Sequence, residues 1–436
     1  MTPPNSAKTT RREFLKTSTA AVSAAAISSL TVERAAHAAG SGVIKIGMIG
    51  AGGRCAGAAL NAMNAGSDVR LVAIHDPFMD RVKGKLEVLK KQKPDQVEVD
   101  DAHCFDGLAG YKGVLASCDV VLIANAAKFH PFYTKAAIEA GKHVFCEKPH
   151  GIDPAGIKTL AAACELAKQK NLCVVSGLQS RFDNGYQETI KRIHDGAIGE
   201  VVAIEENFLR APYGVYHREP GWNDVQSQFG NQYHFTWLSG DDVPQSLVHN
   251  MDRATWVMKE APPVKCHGLG GRASSFNEEY GSVFDHHSVI YQYENGVRAY
   301  AFCRTEVGCY GEVSSIILGS KGRCHTLRCQ IEGETNWKFT GPRNNAYDEE
   351  HRALFEAVRS GKAINCGDYM TRSTLVTIMG QLSCYTGKEV TWEQVNKSDF
   401  YYPPKCEECS FDMEPPVKLG PDGRYPVYVP GVTKLI

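Results

Sequence analysis

The chain carries almost no net charge. Its 436 residues hold 48 Lys and Arg against 49 Asp and Glu, a formal charge of −1. So even a balance leaves no electrostatic footprint for nucleic acid or an anionic membrane as the main partner. Internal repeats and long low-complexity stretches are also missing. The Lys-rich run from Lys83 to Lys93 reads as a solvated helix face. Only one Cys-x-x-Cys pair occurs, Cys406 and Cys409 in a Pro-rich tail. Without a second pair it argues against a structural zinc site, and no metal is expected. The 15 cysteines are odd in number, so they cannot all pair. Cys146, Cys173 and Cys303 sit in apolar runs and read as small buried hydrophobes. Cys406 and Cys409 are spaced for a local disulfide in an oxidising compartment. Otherwise the composition, 43% hydrophobic and 22% charged, is that of a globular protein long enough for two domains.

The first 38 residues read as a targeting segment outside the fold. Arg11-Arg12-Glu13-Phe14-Leu15-Lys16 places an arginine pair before two apolar residues, Thr17 to Leu30 is a mild Ala- and Ser-rich stretch, and Ala36-His37-Ala38 fits a small-x-small cleavage site. This resembles a bacterial twin-arginine signal. It implies the twin-arginine export machinery as a partner and a periplasmic or otherwise exported protein. That route carries proteins already folded, which suits a chain that must take up a cofactor in the cytoplasm. The stretch is too short and too polar to span a bilayer.

Val43 to Asp76 is the most informative segment. An apolar run, Ile44 to Ile49, leads into Gly50-Ala51-Gly52-Gly53-Arg54, an Ala-rich helical pattern and a second apolar run ending near Asp76. This is the order of a dinucleotide-binding strand, turn, helix and strand. Gly50 allows the tight turn. Gly52 lets the backbone approach a pyrophosphate at the helix N-terminus, with Gly53 and Arg54 beside it. Asp76 accepts from a ribose hydroxyl and repels a 2′-phosphate, which favours NAD over NADP. Cys55 stands where a third Gly is usual, and as a small residue it is expected only to loosen helix–strand packing.

Strand-like and helix-like segments alternate up to Ser176, which predicts a Rossmann domain with a doubly wound parallel sheet over residues 43–176. From 177 to 395 the pattern changes. Val201–Phe208, Ser288–Tyr293, Arg298–Arg304 and Ser314–Leu318 alternate as strands, with a hairpin turn at Glu294-Asn295-Gly296. An α+β substrate domain with a mainly antiparallel open sheet is expected, ending in a helical pair at Glu349–Ser360 and Met370–Tyr385. Residues 396–436 read as a tail that wraps this chain's surface or a neighbouring subunit.

Further segments carry a resemblance. Gly141-Lys142-His143-Val144-Phe145-Cys146-Glu147-Lys148-Pro149, Ile123 to Pro131 with Asn125 and His130, Arg181 in Gly-Leu-Gln-Ser-Arg-Phe, and His249 in Leu-Val-His-Asn-Met-Asp follow the fingerprint in order. The chain resembles the glucose–fructose oxidoreductase / inositol dehydrogenase (Gfo/Idh/MocA) family over most of its length. The resemblance implies that Asn125, His130, Glu147 and Lys148 border the cofactor and that Lys148 lies beside the nicotinamide. At the carboxyl end of a parallel strand, an ammonium can hold a substrate hydroxyl and stabilise developing alkoxide. Without the resemblance, Lys148 reads equally well as a solvated residue in a turn. The family places an Asp four residues before the His, where the two share a helix face; here that position is Gln245. His249 is still expected as a base, with Asp252 orienting it. A packed core histidine is the other reading. Arg181, Tyr186 and His286 are assigned to substrate with Asp252, and a homo-oligomer is implied.

The expected activity is exported, NAD-dependent hydride transfer from a sugar, glycoside or polyol, with Lys148 and His249 catalytic. Two other readings stay open. One is a glycosidase that oxidises, eliminates and re-reduces its substrate on a tightly bound, recycled NAD. The other is a binding protein that kept the scaffold, to which the Gln at position 245 points.

Overall fold

A computed structural model describes residues 42–436. The arginine pair and the rest of the segment read as an export signal lie outside the described residues.

Short, fully apolar runs give the first sheet. β1 (Ile44–Ile49), β2 (Val69–His75), β3 (Cys104–Phe105), β4 (Val120–Ile123), β5 (His143–Cys146) and β6 (Val174–Ser176) form a six-stranded parallel sheet in the order 3-2-1-4-5-6. All four residues of β4 and all three of β6 are buried, as strands covered by helices on both faces must be. The helices are α1 (Gly53–Ala65), α2 (Met79–Gln92), α3 (Tyr111–Ser117), α4 (His130–Glu139) and α5 (Pro154–Gln169). Asp153 caps α5 by accepting from the Gly156 amide at 2.7 Å, and Pro154 takes the first-turn position where no amide hydrogen is needed. Chain order reverses between β1 and β4, and in such sheets ligands lie outside the carboxyl ends of the strands at that reversal.

The second half alternates in and out as the sequence pattern implies. After α6 (Asn184–His194) come β7 (Val201–Arg210), α7 (Asp224–Gly230), α8 (Thr236–Ser239), α9 (Val248–Val257) and β8 (Lys265–Gly271). The chain then runs through β9 (His286–Gln292), β10 (Arg298–Thr305), β11 (Glu312–Gly319), β12 (Gly322–His325), β13 (Gln330–Gly333) and β14 (Trp337–Lys338). It ends in α10 (Ala346–Ser360), α11 (Gly367–Thr386), β15 (Val390–Thr391) and α12 (Trp392–Lys397). The strands make a nine-stranded sheet, antiparallel except where β10 runs parallel to β7. One face buries Ile204, Val289, Tyr291, Ala301 and Ile317 with residues of α9 and α11 in a second core. Ile290, Tyr300, Phe302 and Ile316 on the other face are only half-buried. β8 and the short strands β12 to β14 have no clear sequence signature. β8 reads Lys-Cys-His-Gly-Leu-Gly-Gly, and it carries glycine because a Cβ at Gly268 would stand 2.6 Å from the Cys384 sulfur of α11.

The last helices return to the first sheet. α10 packs on α1, with Asn61 donating to Asp348 at 2.7 Å and Arg359 paired with Asp68 at 2.6 Å. Asn365 bridges to Val174 at the sheet edge. The tail lies on this same chain. The Lys128 ammonium donates to the Tyr402 carbonyl at 2.6 Å, and Phe411 stacks on Phe78 at 5.6 Å.

Three fully buried histidines tie these parts together. Both ring nitrogens of His130 approach carbonyls, of Pro149 and Asn125, His150 lies between Ser176 and Thr374, and the His351 ring lies tilted against Phe145. Burial pushes His130 down to about 4 and His150 and His351 to about 3. In the unfolded chain each takes a proton near ~6.5. The unfolded state thus binds more protons below that pH, and stability falls as pH drops from there toward the folded values. Urea unfolding at pH 7, 6, 5 and 4 is expected to lose several kcal/mol across that span, at up to ~1.4 kcal/mol per pH unit for each histidine. A flat stability curve between pH 6.5 and 4 would contradict this.

Candidate active site

Two adjoining cavities lie at the carboxyl ends of the parallel strands, and a third, lined wholly by residues after β7, adjoins the second. The first is bordered by Gly50, Gly52, Asp76, Asn125 and Gln232. The second, bordered by Arg54, His130, Glu147, Lys148 and Gln245, shares Ala124, Asn125 and Gln232 with it. The third, bordered by Tyr213, Asp242 and Arg272, shares Tyr233 and Gln245 with the second.

The first cavity has the parts a dinucleotide needs. Gly50 sits at φ +110°, and a Cβ there would meet the Ala124 carbonyl at 2.6 Å. Cβ atoms at Gly52 and Gly53 would meet nothing within 4 Å, so the α1 N-terminus opens onto free space. No side chain caps that helix and its first turn holds no acid. Its amides are therefore left for an anion. Asp76 accepts from the amides of Ala51 at 2.9 Å and Phe78 at 3.2 Å. Its carboxylate shapes the turn and still borders the cavity. The Asn125 Oδ1 is buried without a partner. Cys55 now has an explanation. Fully buried, its thiol faces the carbonyls of Ile49 and Leu122 at 3.8 and 3.7 Å, filling the α1–sheet contact where a third Gly would leave more room.

Arg54 borders the second cavity with one nitrogen committed and another, the buried NH2, without a partner. Its Nε donates to Glu147 Oε1 at 2.6 Å and its guanidinium lies 4.8 Å over the Tyr347 ring. Glu147, almost fully buried, also accepts from the Lys148 amide at 3.2 Å. A Cβ at Gly177 would stand 2.8 Å from this carboxylate, so that glycine makes its space. Glu147 thus fixes both Arg54 and the backbone of Lys148. His130, whose ring nitrogens face two backbone carbonyls, likewise positions the Asn125 and Pro149 loops. The Lys148 Nζ donates to the Gln245 carbonyl at 2.8 Å. Burial pulls the Lys148 pKa down, and Glu147 and Asp242 oppose that while Arg210 and Arg54 add to it.

Gln245 lies in a π-helical turn, Val243–Leu247, that leads into α9. Such turns are rare and often mark functional sites. The Gln245 side chain donates to the Ser239 carbonyl at 2.8 Å and so takes a structural part. His249 has a buried Nδ1 without a partner. Burial first, then the charges of Lys148, Arg253 and Arg54, hold its pKa well below the usual histidine range. The ring is neutral, and its cationic neighbours disfavour an imidazolium.

Four expectations need correction or relocation. Asp252 does not orient His249. Its carboxylate accepts from Arg181 Nε and NH2 at 3.0 and 2.8 Å and from the Ser373 hydroxyl at 2.8 Å. Arg181 is equally committed, with Glu260 at 2.5 Å as a second partner and the rings of Trp256 and Tyr369 on its faces at 4.7 and 4.5 Å. Neither is left for substrate. Tyr186 sits between the guanidiniums of Arg253 and Arg343, at 5.9 and 5.4 Å, and borders none of the three cavities. His286 turns its Nδ1 to Asp285 at 2.8 Å, and Asp285, not His286, borders the third cavity. Asp285, His286 and Glu306 approach one another at metal-ligand spacing. The Asp285 carboxylate, however, is already filled by the amides of Ala273 and Ser274 at 2.9 and 2.7 Å as well as by His286. We assign no metal there.

Gln232, Tyr213, Tyr233, Asp242 and Arg272 border these cavities, with Arg210 behind Asp242, and no sequence motif marks them. Tyr213 stacks on Tyr233 at 4.1 Å, and Arg210 lies 3.8 Å over Tyr213 while pairing with Asp242 at 2.7 Å.

Comparison with known proteins agrees with this geometry. Residues 44–177 match the model of the oxidoreductase family, NAD-binding Rossmann fold (Gfo/Idh/MocA), and residues 190–388 match that family's C-terminal alpha/beta domain. The chain is 32% identical over 216 residues to an inositol 2-dehydrogenase of Acidothermus cellulolyticus, covering 49% of this chain and 53% of that protein. It thus spans about half the length of that relative. It is 26% identical over 337 residues to an inositol 2-dehydrogenase of Rhizobium meliloti, covering 74% of this chain and 90% of that protein. The fold matches the crystal structure of an aldose-aldose oxidoreductase from Caulobacter crescentus complexed with glycerol. There the TM-score is 0.62 at 19% identity, with 80% of this chain and 99% of that one covered. With both family domains matched in order and a dinucleotide cradle at the strand ends, the chain belongs to the Gfo/Idh/MocA family of NAD-binding oxidoreductases.

Proposed function

We propose that this protein oxidises a ring hydroxyl of a sugar, glycoside or polyol in an NAD-dependent reaction. The observation that carries the reading is Lys148. It stands just past the end of β5 in a cavity that shares wall residues with the dinucleotide cradle on one side and with the tyrosine-lined cavity on the other. The inositol dehydrogenase relatives support a polyhydroxylated ring as the substrate class. NAD held in the first two cavities would accept the hydride. The chain's own part is positioning and proton handling. One Lys148 hydrogen is held by the Gln245 carbonyl, and the other two can hold a substrate oxygen as alkoxide character develops. Its lowered pKa brings proton transfer nearer to neutral pH. His249 borders none of the three cavities, and burial with the charges of Lys148, Arg253 and Arg54 disfavours its imidazolium, so the proton handling falls to Lys148.

A second reading has an observation in its favour. Phe229 and Gln232 border the cradle from the second half of the chain, Arg81 reaches the Gly230 carbonyl at 3.2 Å, and Phe78 is stacked between Trp222 at 4.6 Å and Phe411 at 5.6 Å. A cover of this kind favours a retained, recycled cofactor and with it the redox glycosidase. The arginine pair supports export after the cofactor is loaded.

Three outcomes test these readings. Lys148→Ala is expected to keep NAD binding while kcat/KM falls by about 100- to 10,000-fold, the range for a removed proton-transfer group. Unchanged turnover on the best substrate of a sugar and polyol panel would remove Lys148 from the chemistry. Nitrophenol release from aryl glycosides without added NAD would select the recycling reading, whereas net NADH formation from free polyols selects simple oxidation. Changing Arg11 and Arg12 together to Lys is expected to leave the protein in the cytoplasmic fraction of its bacterial host, and undiminished export would refute the twin-arginine route.

A further inference from the structure

The centre lacks an acid where one is needed. Gln245 carries no charge, Asp252 is consumed by Arg181, and no carboxylate contributes to the surroundings that shift His249. A carboxylate nevertheless enters from an unexpected place. Gly240 and Asp241 lie in consecutive left-handed conformations, φ +75° and +71°. Asp241 accepts the strain of that geometry, as Asp does more readily than most residues. Its buried carboxylate is tied to the Tyr385 hydroxyl at 2.5 Å, the Phe284 amide at 2.8 Å and the Asp242 amide at 2.6 Å. This sharp bend, just before the π-helical turn, delivers Asp242 to the wall of the third cavity.

The two oxygens of Asp242 are unequal. Oδ1 accepts from Arg210 at 2.7 Å and from the Ser246 hydroxyl at 2.6 Å. Oδ2 is buried and has no oxygen or nitrogen donor; the buried thiol of Cys303, a weak donor, is the neighbour of this carboxylate. The residue is 6% exposed, and it shares its cavity with Gln245 and Tyr233, which also border the cavity of Lys148. A buried carboxylate oxygen without a donor is costly unless a ligand supplies one. The Nε of Arg272, which borders the same cavity, is also buried without a partner, while its terminal nitrogens are held by the carbonyls of Gly281 and Tyr280 at 2.9 and 2.8 Å. The stacked Tyr213 and Tyr233 wall this small space, which has room for a single hydroxyl beside the open acceptor.

We propose that Asp242 is the acid of this centre: its open Oδ2 accepts a hydroxyl of the ring substrate, and its charge, acting beside Lys148, replaces the acid missing at position 245. The proposal rests on the oxidoreductase reading for its substrate class, and for the pairing with Lys148 on two adjoining cavities that share Tyr233 and Gln245 as walls. The charged groups around Lys148 are Glu147, Asp242, Arg210 and Arg54, and the neutral rings of His130, His150 and His249 face it as well. Two of these, Asp242 and Arg210, act on Lys148 with opposite sign.

The test reads Lys148 directly. Cyanate carbamylates only the neutral amine, and peptide mass spectrometry gives the rate at Lys148 from pH 7 to 9 with no substrate present. Asp242→Asn keeps an acceptor for Arg210 and Ser246 but removes the charge. Its Lys148 is expected to react about three- to tenfold faster than in the parent at pH 7.5, corresponding to a pKa lowered by about half to one unit. Arg210→Gln is expected to slow the same reaction, so a folding failure in one variant leaves the other to decide. Under twofold change in both variants overturns the proposal. On any polyol that is turned over, Asp242→Asn should raise KM and move the Lys148-dependent limb of the kcat/KM profile to lower pH. An unmoved limb and KM would overturn it as well. If no polyol or sugar is turned over, the oxidoreductase reading fails on its own, and the cyanate rates still decide whether Asp242 governs Lys148.

Discussion

The contact between Arg54 and Glu147, 2.6 Å from Nε to Oε1, is the constraint on which the site depends. It joins the glycine turn after β1 to the end of β5, the two strand ends that flank β4. One partner comes from the segment that cradles the dinucleotide, the other from the segment that carries Lys148. Because Glu147 is almost wholly buried, loss of Arg54 would leave an uncompensated charge in the interior, which is far costlier than loss of a surface pair. Gly177 clears space for the carboxylate, and Tyr347 of α10 covers the guanidinium. Next to them Glu350 is buried without a partner, and burial together with the Glu147 charge pushes its pKa well above the usual range. Its carboxyl is therefore held protonated, which spares the cluster a second buried anion.

The two halves meet chemically at the Lys148 ammonium. From the first half, Glu147 accepts from the Lys148 amide. From the second half, the Gln245 carbonyl, in the short stretch between Ser239 and Ser246, accepts from its ammonium. That stretch combines two left-handed residues, a π-helical turn and an acid fixed by Tyr385 of α11. Local irregularity of this kind survives only where surrounding structure holds it in place. Here the hold is the buried Asp241 carboxylate.

Much of this was legible from residues alone, and the reasons for the rest are physical. The β1–α1–β2 unit could be read because fully buried strands are unbroken apolar runs and the turn between them needs glycine. The end of β5 was legible for the same reason. The strands of the second sheet with clean alternation, β7, β9, β10 and β11, could be read as well. β8 could not, because close packing on α11 makes it glycine-rich. Arg181 and Asp252 looked like site residues because charge in a cleft suggests a ligand. Only three-dimensional contact shows that they satisfy each other. Asp242 was invisible, since its position depends on the backbone bend at Gly240-Asp241, and no periodicity encodes a bend. Cys55, an apparent defect in the glycine pattern, proves to be a packing choice against Ile49 and Leu122.

The tail has a consequence for timing. Phe411 is stacked on Phe78, which borders the dinucleotide cradle, and Lys128 is anchored by the carbonyl of Tyr402. These partners leave the ribosome more than 270 residues after the segments they hold, as the separation of Lys128 and Tyr402 by 274 positions shows. The aromatic stack on this wall therefore forms only after the residues around Phe411 have been made.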